Sequence, residues 1–347
     1  MKVSMRRAPS SINRAKTQSR KQGGLHPSSL ILHPFSFILH PSSLILFTVF
    51  VAASLGATSF AQRRSGAHSA KKPDAFTSAE RTMVERAIGA TCSQRLRDPQ
   101  GSVPIDEMQS RPSLPVSDPD ASAGRKRAER LLPTTETLVA NAITSLAKEY
   151  GLYNATDDRL RVSGAIARVE AVKRVKPDVD ARDNASVLLR DPHTIEFGTI
   201  FLAGLKSDEA MISVLAHELT HIANGQTESL QRLFRAVARR ASARTGFRIR
   251  GQRAEELTCD LVGVIAVREF VNQTPSWEPR PRRIARAFEH NCVDDDTSDE
   301  DHLSPRNTIR TLFTLEMNSA REIVDGDSIS LRRLLVGHFW RVHSSQQ

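Results

Sequence analysis

The chain has 347 residues, of which 39% are hydrophobic, and a formal net charge of +10. These values are typical of a soluble globular protein with one sizeable domain or two small ones. Seven basic residues and no acidic residue lie in residues 1–61, which leaves a net charge of about +3 for the remainder. We therefore expect no nucleic-acid partner, because such partners require a strongly basic surface.

The N-terminal segment, residues 1–61, resembles an export signal. A basic stretch ends at Lys21, and an uncharged, largely apolar stretch follows. It ends in small residues, with Ser59 and Ala61 at the positions that signal peptidases require, which predicts cleavage after Ala61. The alternative is an uncleaved membrane anchor, because the apolar stretch approaches spanning length. We expect a periplasmic or secreted protein, or one that this segment anchors to the membrane.

A heptapeptide is repeated in tandem within this segment, at residues 26–46, as "HPSSLIL", "HPFSFIL" and "HPSSLIL". Such a short repeat is typical of translated low-complexity DNA, so translation could start downstream. We therefore do not expect its histidines, His26, His33 and His40, to bind metal. A polar linker at residues 62–76 is expected to follow the signal.

The three cysteines are Cys92, Cys259 and Cys292. Export permits disulfide formation, and we predict the pair Cys92–Cys292. An odd number leaves one thiol over. The spacing matches no cysteine-based zinc motif.

The first predicted elements form a helical and loop region at residues 77–133. The sequence "TSAE", at residues 77–80, is a capping box that predicts the start of a helix. Residues 98–133 are rich in proline, glycine and serine and predict loops. The main domain is predicted at residues 134–347, and its first helix should run from about residue 135 to residue 150.

The main domain is predicted to be of the α+β class and mainly helical. Residues 159–204 are rich in β-branched residues and predict short strands, in "RLRVSG", "ARVEAVKRV", "ASVLLR" and "TIEFGTIFLAG". A helix should begin after Ser207, as its N-cap, and end at Gly225. A further helix is predicted from about Arg253 to Val271.

The sequence "AHELTHIANGQ" suggests a metal site on the first of these two helices. His217 and His221 lie one helical turn apart on the same face, so that both imidazoles can bind one zinc ion. Glu218 lies beside them and suits the role of general base. Chance occurrence on a helix surface is the alternative explanation.

The third ligand should come from "EELTCD", at residues 255–260. Glu256 can ligate zinc, and Asp260, one turn later, can bind the second ring nitrogen of a ligand histidine. Glu255 is an equally polar competitor. The carboxylate of Asp260 lies among apolar residues and must be paired, which favours Glu256. A histidine third ligand of the type HExxHxxGxxH is excluded, because no histidine occupies positions 229–231.

Together, three segments resemble the HtpX and CAAX-prenyl-protease type of metallopeptidase, which is peptidase family forty-eight of the gluzincins. They are "GTIFLAGLKSDEAMISVLAHELTHIANGQ", "EELTCDLVG" and "HLSPRNTIRTL". The resemblance covers about residues 134–320 and includes the "NA" of Asn184 and Ala185. It departs from the family at Cys259, where alanine is usual, and at Leu303 and Thr308, where proline and arginine are usual.

The resemblance implies a zincin fold with a small edge-strand sheet beside the HExxH helix. It implies one zinc ion per chain, with the residues His217, His221 and Glu256 as ligands, Glu218 as the catalytic base and Asp260 as their hydrogen-bonding support. His302 is placed where it could steady the oxyanion. Arg306 and Arg310 flank the position of the usual arginine.

The implied activity is metalloendopeptidase cleavage of proteins or peptides, including misfolded or envelope proteins. The substrate would add a strand near Gly198–Leu202. No run of 18 apolar residues follows residue 61, so the chain resembles the soluble, exported members of the family. The alternative function is a non-proteolytic zinc-fold chaperone or assembly factor of the cell envelope.

An arginine-rich segment, residues 232–253, lies between the two metal motifs. We predict a solvated helix face with Leu233, Phe234 and Val237 turned inward. The alternatives are peripheral contact with an anionic membrane surface and nucleic-acid binding. The low aromatic content, 5%, is unfavourable for nucleic-acid stacking.

Overall fold

The structure is a computed structural model that describes residues 76–103, 105–188, 191–293 and 298–327. The predictions for the signal peptide, the heptapeptide repeat and all but the last residue of the linker concern residues outside this described part. Within it, no helix combines the length and the apolar character needed to cross a membrane.

The described chain is mainly helical with one small sheet, which confirms the α+β class. The helices are α1 (Ser78–Arg95), α2 (Ile105–Ser110), α3 (Pro119–Glu149), α4 (Thr156–Glu170), α5 (Thr199–Gly204), α6 (Asp208–Asn224), α7 (Gln231–Thr245), α8 (Gln252–Gln273), α9 (Arg280–Ala285) and α10 (Pro305–Leu315). The strands are β1 (Arg174–Asp178), β2 (Ala185–Leu188) and β3 (Asp191–Gly198). A 3₁₀ turn spans Glu289–Asn291, and residues 317–327 are helical.

The sheet has the order β1-β3-β2, with β1 parallel and β2 antiparallel to β3. The prediction of an edge strand near Gly198–Leu202 is therefore wrong. Strand β3 is central and ends at Gly198, and the next six residues form α5. All six are buried, so their apolar run fits a buried helix as well as a strand. The edge strand that packs against α6 is β2.

The strands predicted in "RLRVSG" and in the first part of "ARVEAVKRV" are also wrong, because these residues form α4. Val162, Ala165 and Val169 are buried and recur at helical spacing. Burial of this stripe outweighs the β propensity of the valines, since propensity is a weak preference beside tertiary packing.

The loop predicted over residues 98–133 is wrong at residues 105–110, which form α2, and in its last part, where α3 begins. The Asp118 side chain caps this helix by accepting hydrogen bonds from the backbone N–H groups of Asp120 and Ala121, and proline occupies the first helical position. The boundary that we placed between residues 133 and 134 lies inside α3. Helix α3 ends just before Gly151, as predicted, and this glycine has a φ of 73°.

Helices α6 and α8 pack side by side at the centre of the fold, and both were predicted. The Ser207 side chain caps α6 by accepting from the Ala210 N–H, and Gly225 follows with a φ of 56°. A Cβ atom on Gly263 would lie 2.7 Å from the Ser213 carbonyl oxygen, so glycine permits the close approach of the two helices. This approach places Glu256 beside His217.

The predicted disulfide between Cys92 and Cys292 is present, and it joins α1 to the end of the 3₁₀ turn. Cys259 is free and buried. The predicted capping box is also present, with reciprocal hydrogen bonds between Thr77 and Glu80. Helix α1 is thus covalently tied to the domain that carries the metal motifs.

The arginine-rich segment forms α7 and the loop after it. Leu233, Phe234 and Val237 are buried as predicted. Three of the arginines form ion pairs with other helices: Arg232 lies 2.8 Å from Asp158, Arg244 lies 3.0 Å from Glu80, and Arg240 pairs with Glu149. The described structure is therefore consistent with a solvated, ion-paired face.

Candidate metal centre

The two histidines of the HELTH motif point their outer ring nitrogens at one another. The Nε2 atoms of His217 and His221 lie 3.1 Å apart, and both side chains are buried. They share one face of α6, as one-turn spacing requires. Two imidazole nitrogens are thus brought to one buried point.

Glu256, from α8, brings a carboxylate to the same point. Its Oε2 atom lies 3.2 Å from Nε2 of His217 and 3.5 Å from Nε2 of His221. Its other oxygen, Oε1, accepts a hydrogen bond of 2.8 Å from Gln252. The inner oxygen, Oε2, has no hydrogen-bond donor among the described residues.

The opposite nitrogen of each histidine ring faces a carboxylate. Nδ1 of His217 lies 2.8 Å from Asp260 Oδ1, and Nδ1 of His221 lies 3.0 Å from Glu255 Oε1. An ionised carboxylate only accepts hydrogen bonds, so each Nδ1 carries the proton and each Nε2 presents a lone pair. The predicted contact between Asp260 and a ligand histidine is present. Asn224 steadies Glu255 by donating a hydrogen bond of 3.3 Å.

Three lone-pair donors therefore converge in a buried space, and this arrangement fits a cation. Two neutral imidazoles and a carboxylate are the donor set of a catalytic zinc site. Without a positive charge between them, the lone pairs would repel one another and Glu256 Oε2 would remain buried without a partner. The residues His217, His221 and Glu256 thus suit a zinc ion.

The surrounding charges also favour a cation at this point. Burial alone lowers the pKa of His217, but its contacts with Asp260 and Glu256 outweigh that effect and raise the pKa to about 9. For Glu256, burial acts to raise the pKa, but the neighbouring His221 and His217 hold it well below its usual range. A site that attracts a proton so strongly attracts a metal ion for the same reason, and the two compete.

Glu218 follows His217 on α6 and is only 1% exposed. Its Oε1 atom has no hydrogen-bond partner within the described chain, and burial raises the pKa of its carboxyl group. A carboxylate with a raised pKa can take a proton from water near neutral pH and give it up again. This is the property that the predicted general base requires.

His302 lies at the edge of the site, near the same oxygen of Glu256 that faces His217 and His221. Its Nε2 atom is 3.6 Å from Glu256 Oε2, and its Nδ1 atom is 3.1 Å from Asp299 Oδ1. Burial acts to lower the pKa of His302, but Glu256 and Asp299 outweigh it and raise the pKa. The predicted proximity of His302 to the metal motifs is therefore present.

Besides His217 from α6, side chains from four segments line the cleft beside the site. Leu257 comes from α8, Asn291 from the 3₁₀ turn, Leu303 from the segment before α10, and Thr308 from α10. Neither arginine that flanks Thr308 in sequence lines the cleft, and Arg310 pairs with Glu85 at 2.8 Å. Thr308, and neither of its flanking arginines, thus contributes to the wall of the cleft.

Arg253 brings a positive charge to this cleft from α8. Its guanidinium donates hydrogen bonds to the backbone carbonyl oxygen of Asp299. Since Asp299 also contacts His302, the three residues form one hydrogen-bonded connection along the cleft. The motifs did not point to Arg253, which lies three positions before Glu256, the first residue of the pattern E-x-x-x-D.

Cys259 offers an alternative donor, because His217, His221 and Cys259 have ligand atoms within 4.8 Å of one another. The Sγ atom lies 3.7 Å from Nδ1 of His221. That nitrogen faces away from the point where the two Nε2 atoms and Glu256 meet, and one ring cannot direct both nitrogens at one ion. Burial also raises the pKa of the Cys259 thiol, which disfavours the thiolate. We therefore favour Glu256.

The roles of two polar residues of the site, Glu255 and Gln252, were not predicted from the motifs. Glu255 was weighed only as a competing ligand, but it supports His221. Gln252 precedes Glu256 by four positions, so helical spacing alone places the two on one face. In both cases, a polar side chain among buried helix residues indicated a partner.

Glu289, in the 3₁₀ turn, should make the stability of the fold depend on pH, whether or not a metal is bound. It is 1% exposed, and its Oε2 atom accepts a hydrogen bond of 3.2 Å from the Ser102 N–H. Burial raises the pKa of Glu289 from 4.5 to about 7. The folded protein thus favours the neutral acid, and wild-type stability should fall as the pH rises from about 4.5 through about 7.

Glu289→Gln should therefore stabilise the protein at pH 8 by about 1–3 kcal/mol and have little effect at pH 5. Glutamine is uncharged and retains an oxygen that can accept from Ser102. The measurement is urea unfolding at both pH values in the presence of a chelator. An equal effect at the two pH values would show that the side chain does not titrate in this range.

The comparisons with known proteins add no relative. No protein-family model, curated protein or solved structure matches this chain. The assignment of a function therefore depends on the residues and distances given above.

Proposed function

We propose that this chain is a zinc-dependent metalloendopeptidase with a gluzincin site similar to that of the HtpX and CAAX-prenyl-protease type. The observation that supports this proposal best is the convergence of three lone-pair donors. The Nε2 atoms of His217 and His221 and the Oε2 atom of Glu256 lie within 3.5 Å of one another in a buried site. Ordinary helix packing gives no reason for this arrangement.

Asp260 and Glu255 hold the two rings in the tautomer that presents Nε2 to the metal. Zinc, when bound, supplies Lewis acidity and lowers the pKa of water. Glu218 takes the proton from the attacking water and gives it to the leaving amine, a role that suits its raised pKa. His302, held by Asp299, donates to the developing oxyanion.

The substrate would bind in an extended form along β2. This strand pairs with β3 on one side and contacts α6, the helix that carries Glu218. Backbone hydrogen bonds to an edge strand are nearly independent of sequence. This mode of binding suits protein or peptide substrates with varied side chains.

The activity is tested with the purified full-length protein and an unfolded substrate such as casein. We expect cleavage that a chelator abolishes and that added zinc restores. If the zinc-loaded protein cleaves no peptide bond but suppresses aggregation of an unfolded protein, the chaperone alternative replaces the peptidase proposal.

A further inference from the structure

Arg168, near the end of α4, binds the C-terminal end of the helix that carries the HELTH motif. Its Nε atom donates hydrogen bonds of 3.3 Å to the carbonyl oxygen of Ile222 and 3.1 Å to that of Ala223. Its Nη2 atom donates to the carbonyl oxygens of Ala223 and Asn224. Helix α6 ends at Asn224, so the guanidinium binds carbonyl groups that have no partner within the helix.

The end of α6, and not a carboxylate, balances the charge of Arg168. Among the residues that the structure describes, its hydrogen bonds are to these carbonyl groups and no acidic side chain pairs with it. The C-terminal end of a helix carries a partial negative charge, which attracts a cation. Gly225 leaves room for this contact, because a Cβ atom at that position would lie 3.1 Å from Arg168 Nε.

Asn224, the last residue of α6, connects this end of the helix to the metal site. Its side chain is buried, and its Oδ1 atom accepts a hydrogen bond of 3.0 Å from the Leu230 N–H. Its Nδ2 atom donates a hydrogen bond of 3.3 Å to Glu255 Oε1, and the same oxygen lies 3.0 Å from Nδ1 of His221. The contact of Glu255 with the His221 ring therefore depends on how the end of α6 is held.

We propose that Arg168 is a positioning residue of the metal site, an inference that rests on the proposed function. It holds the last carbonyl groups of α6, and thereby Asn224, in the position that supports Glu255. Glu255 in turn keeps the His221 ring in the tautomer and direction that metal binding requires. Arg168 is not among the residues described as lining the cleft, so its effect on the metal passes through Asn224 and Glu255.

The zinc affinity of the full-length protein, measured by competition with a chromogenic chelator, tests this role. Arg168→Gln removes the charge and should weaken zinc binding about 10-fold, the lower end of the range for residues that support a metal ligand. Arg168→Lys keeps a positive charge at the end of α6 and should recover part of the loss. The matched control is Arg161→Gln, on an exposed position of the same helix, which should bind zinc as the wild type does.

The same measurement in a Glu255→Ala background separates positioning from general damage. If Arg168 acts through Glu255, Arg168→Gln should cause no further loss of zinc affinity once Glu255 is absent. General damage to the fold would instead weaken binding by the same factor in both backgrounds. Circular dichroism checks folding. If Arg168→Gln does not fold, Arg168→Lys is measured in both backgrounds, and its smaller loss should likewise vanish beside Glu255→Ala.

Equal losses in the two backgrounds, or wild-type affinity in Arg168→Gln, would overturn the role of Arg168 and leave the proposed function standing. A wild-type chain that bound no zinc would overturn the proposed function, and the role of Arg168 with it.

Discussion

Glu218→Gln is expected to reduce peptide hydrolysis by about 10³-fold while zinc content stays at one ion per chain. Glutamine has the shape of glutamate but cannot take a proton from water. Because burial raises the pKa of Glu218, a neutral side chain at this position should not destabilise the fold. The measurement is the initial rate of casein cleavage beside metal analysis of the same sample.

The matched control for this variant is Glu170→Gln, which makes the same chemical change at an exposed position at the end of α4. It should cleave at the wild-type rate. If Glu218→Gln cleaved as fast as this control, Glu218 would not be the base. If instead it lost its zinc, the residue would act in metal binding and the proposed role would also be wrong.

Replacing either of the two adjacent glutamates of α8 should have very different effects on metal binding. Glu256→Ala removes a carboxylate oxygen that lies 3.2 Å from His217 Nε2, and it should abolish stoichiometric zinc binding and activity together. Glu255→Ala removes only the support of His221 Nδ1, and it should weaken zinc binding about 10- to 100-fold without abolishing it.

These two variants share a helix, a burial class and a chemical change, so each controls for general damage in the other. Dialysis against buffered zinc, followed by metal analysis, measures both affinities. Retention of zinc by Glu256→Ala, with loss from Glu255→Ala, would reverse the assigned roles.

The residues of the candidate metal site could be predicted from the sequence because their spacing is local. His217 and His221 are placed by helical spacing alone, and so are Glu256 and Asp260. The prediction of this site required only one long-range assumption, namely that α6 and α8 pack together. Glu255 was harder to assign, because the choice between two adjacent carboxylates depends on how α8 is rotated against α6.

The errors in the fold arose where tertiary packing decides between alternatives. Val162 and Val169 suit a strand by propensity, but the core that α4 covers favours a helix. Position within the sheet is also not local, since the place of β3 depends on β1, which arrives from an earlier part of the chain. Thus β2, and not β3, is an edge strand of the sheet.

Zinc X-ray absorption spectroscopy on the purified full-length protein tests whether His217, His221 and Glu256 hold the metal. We expect a first shell of nitrogen and oxygen only, at about 2.0–2.2 Å, with the multiple-scattering signal of two imidazoles from His217 and His221. A sulfur neighbour at about 2.3 Å would contradict this expectation, because it would identify Cys259 in place of Glu256 as the third ligand.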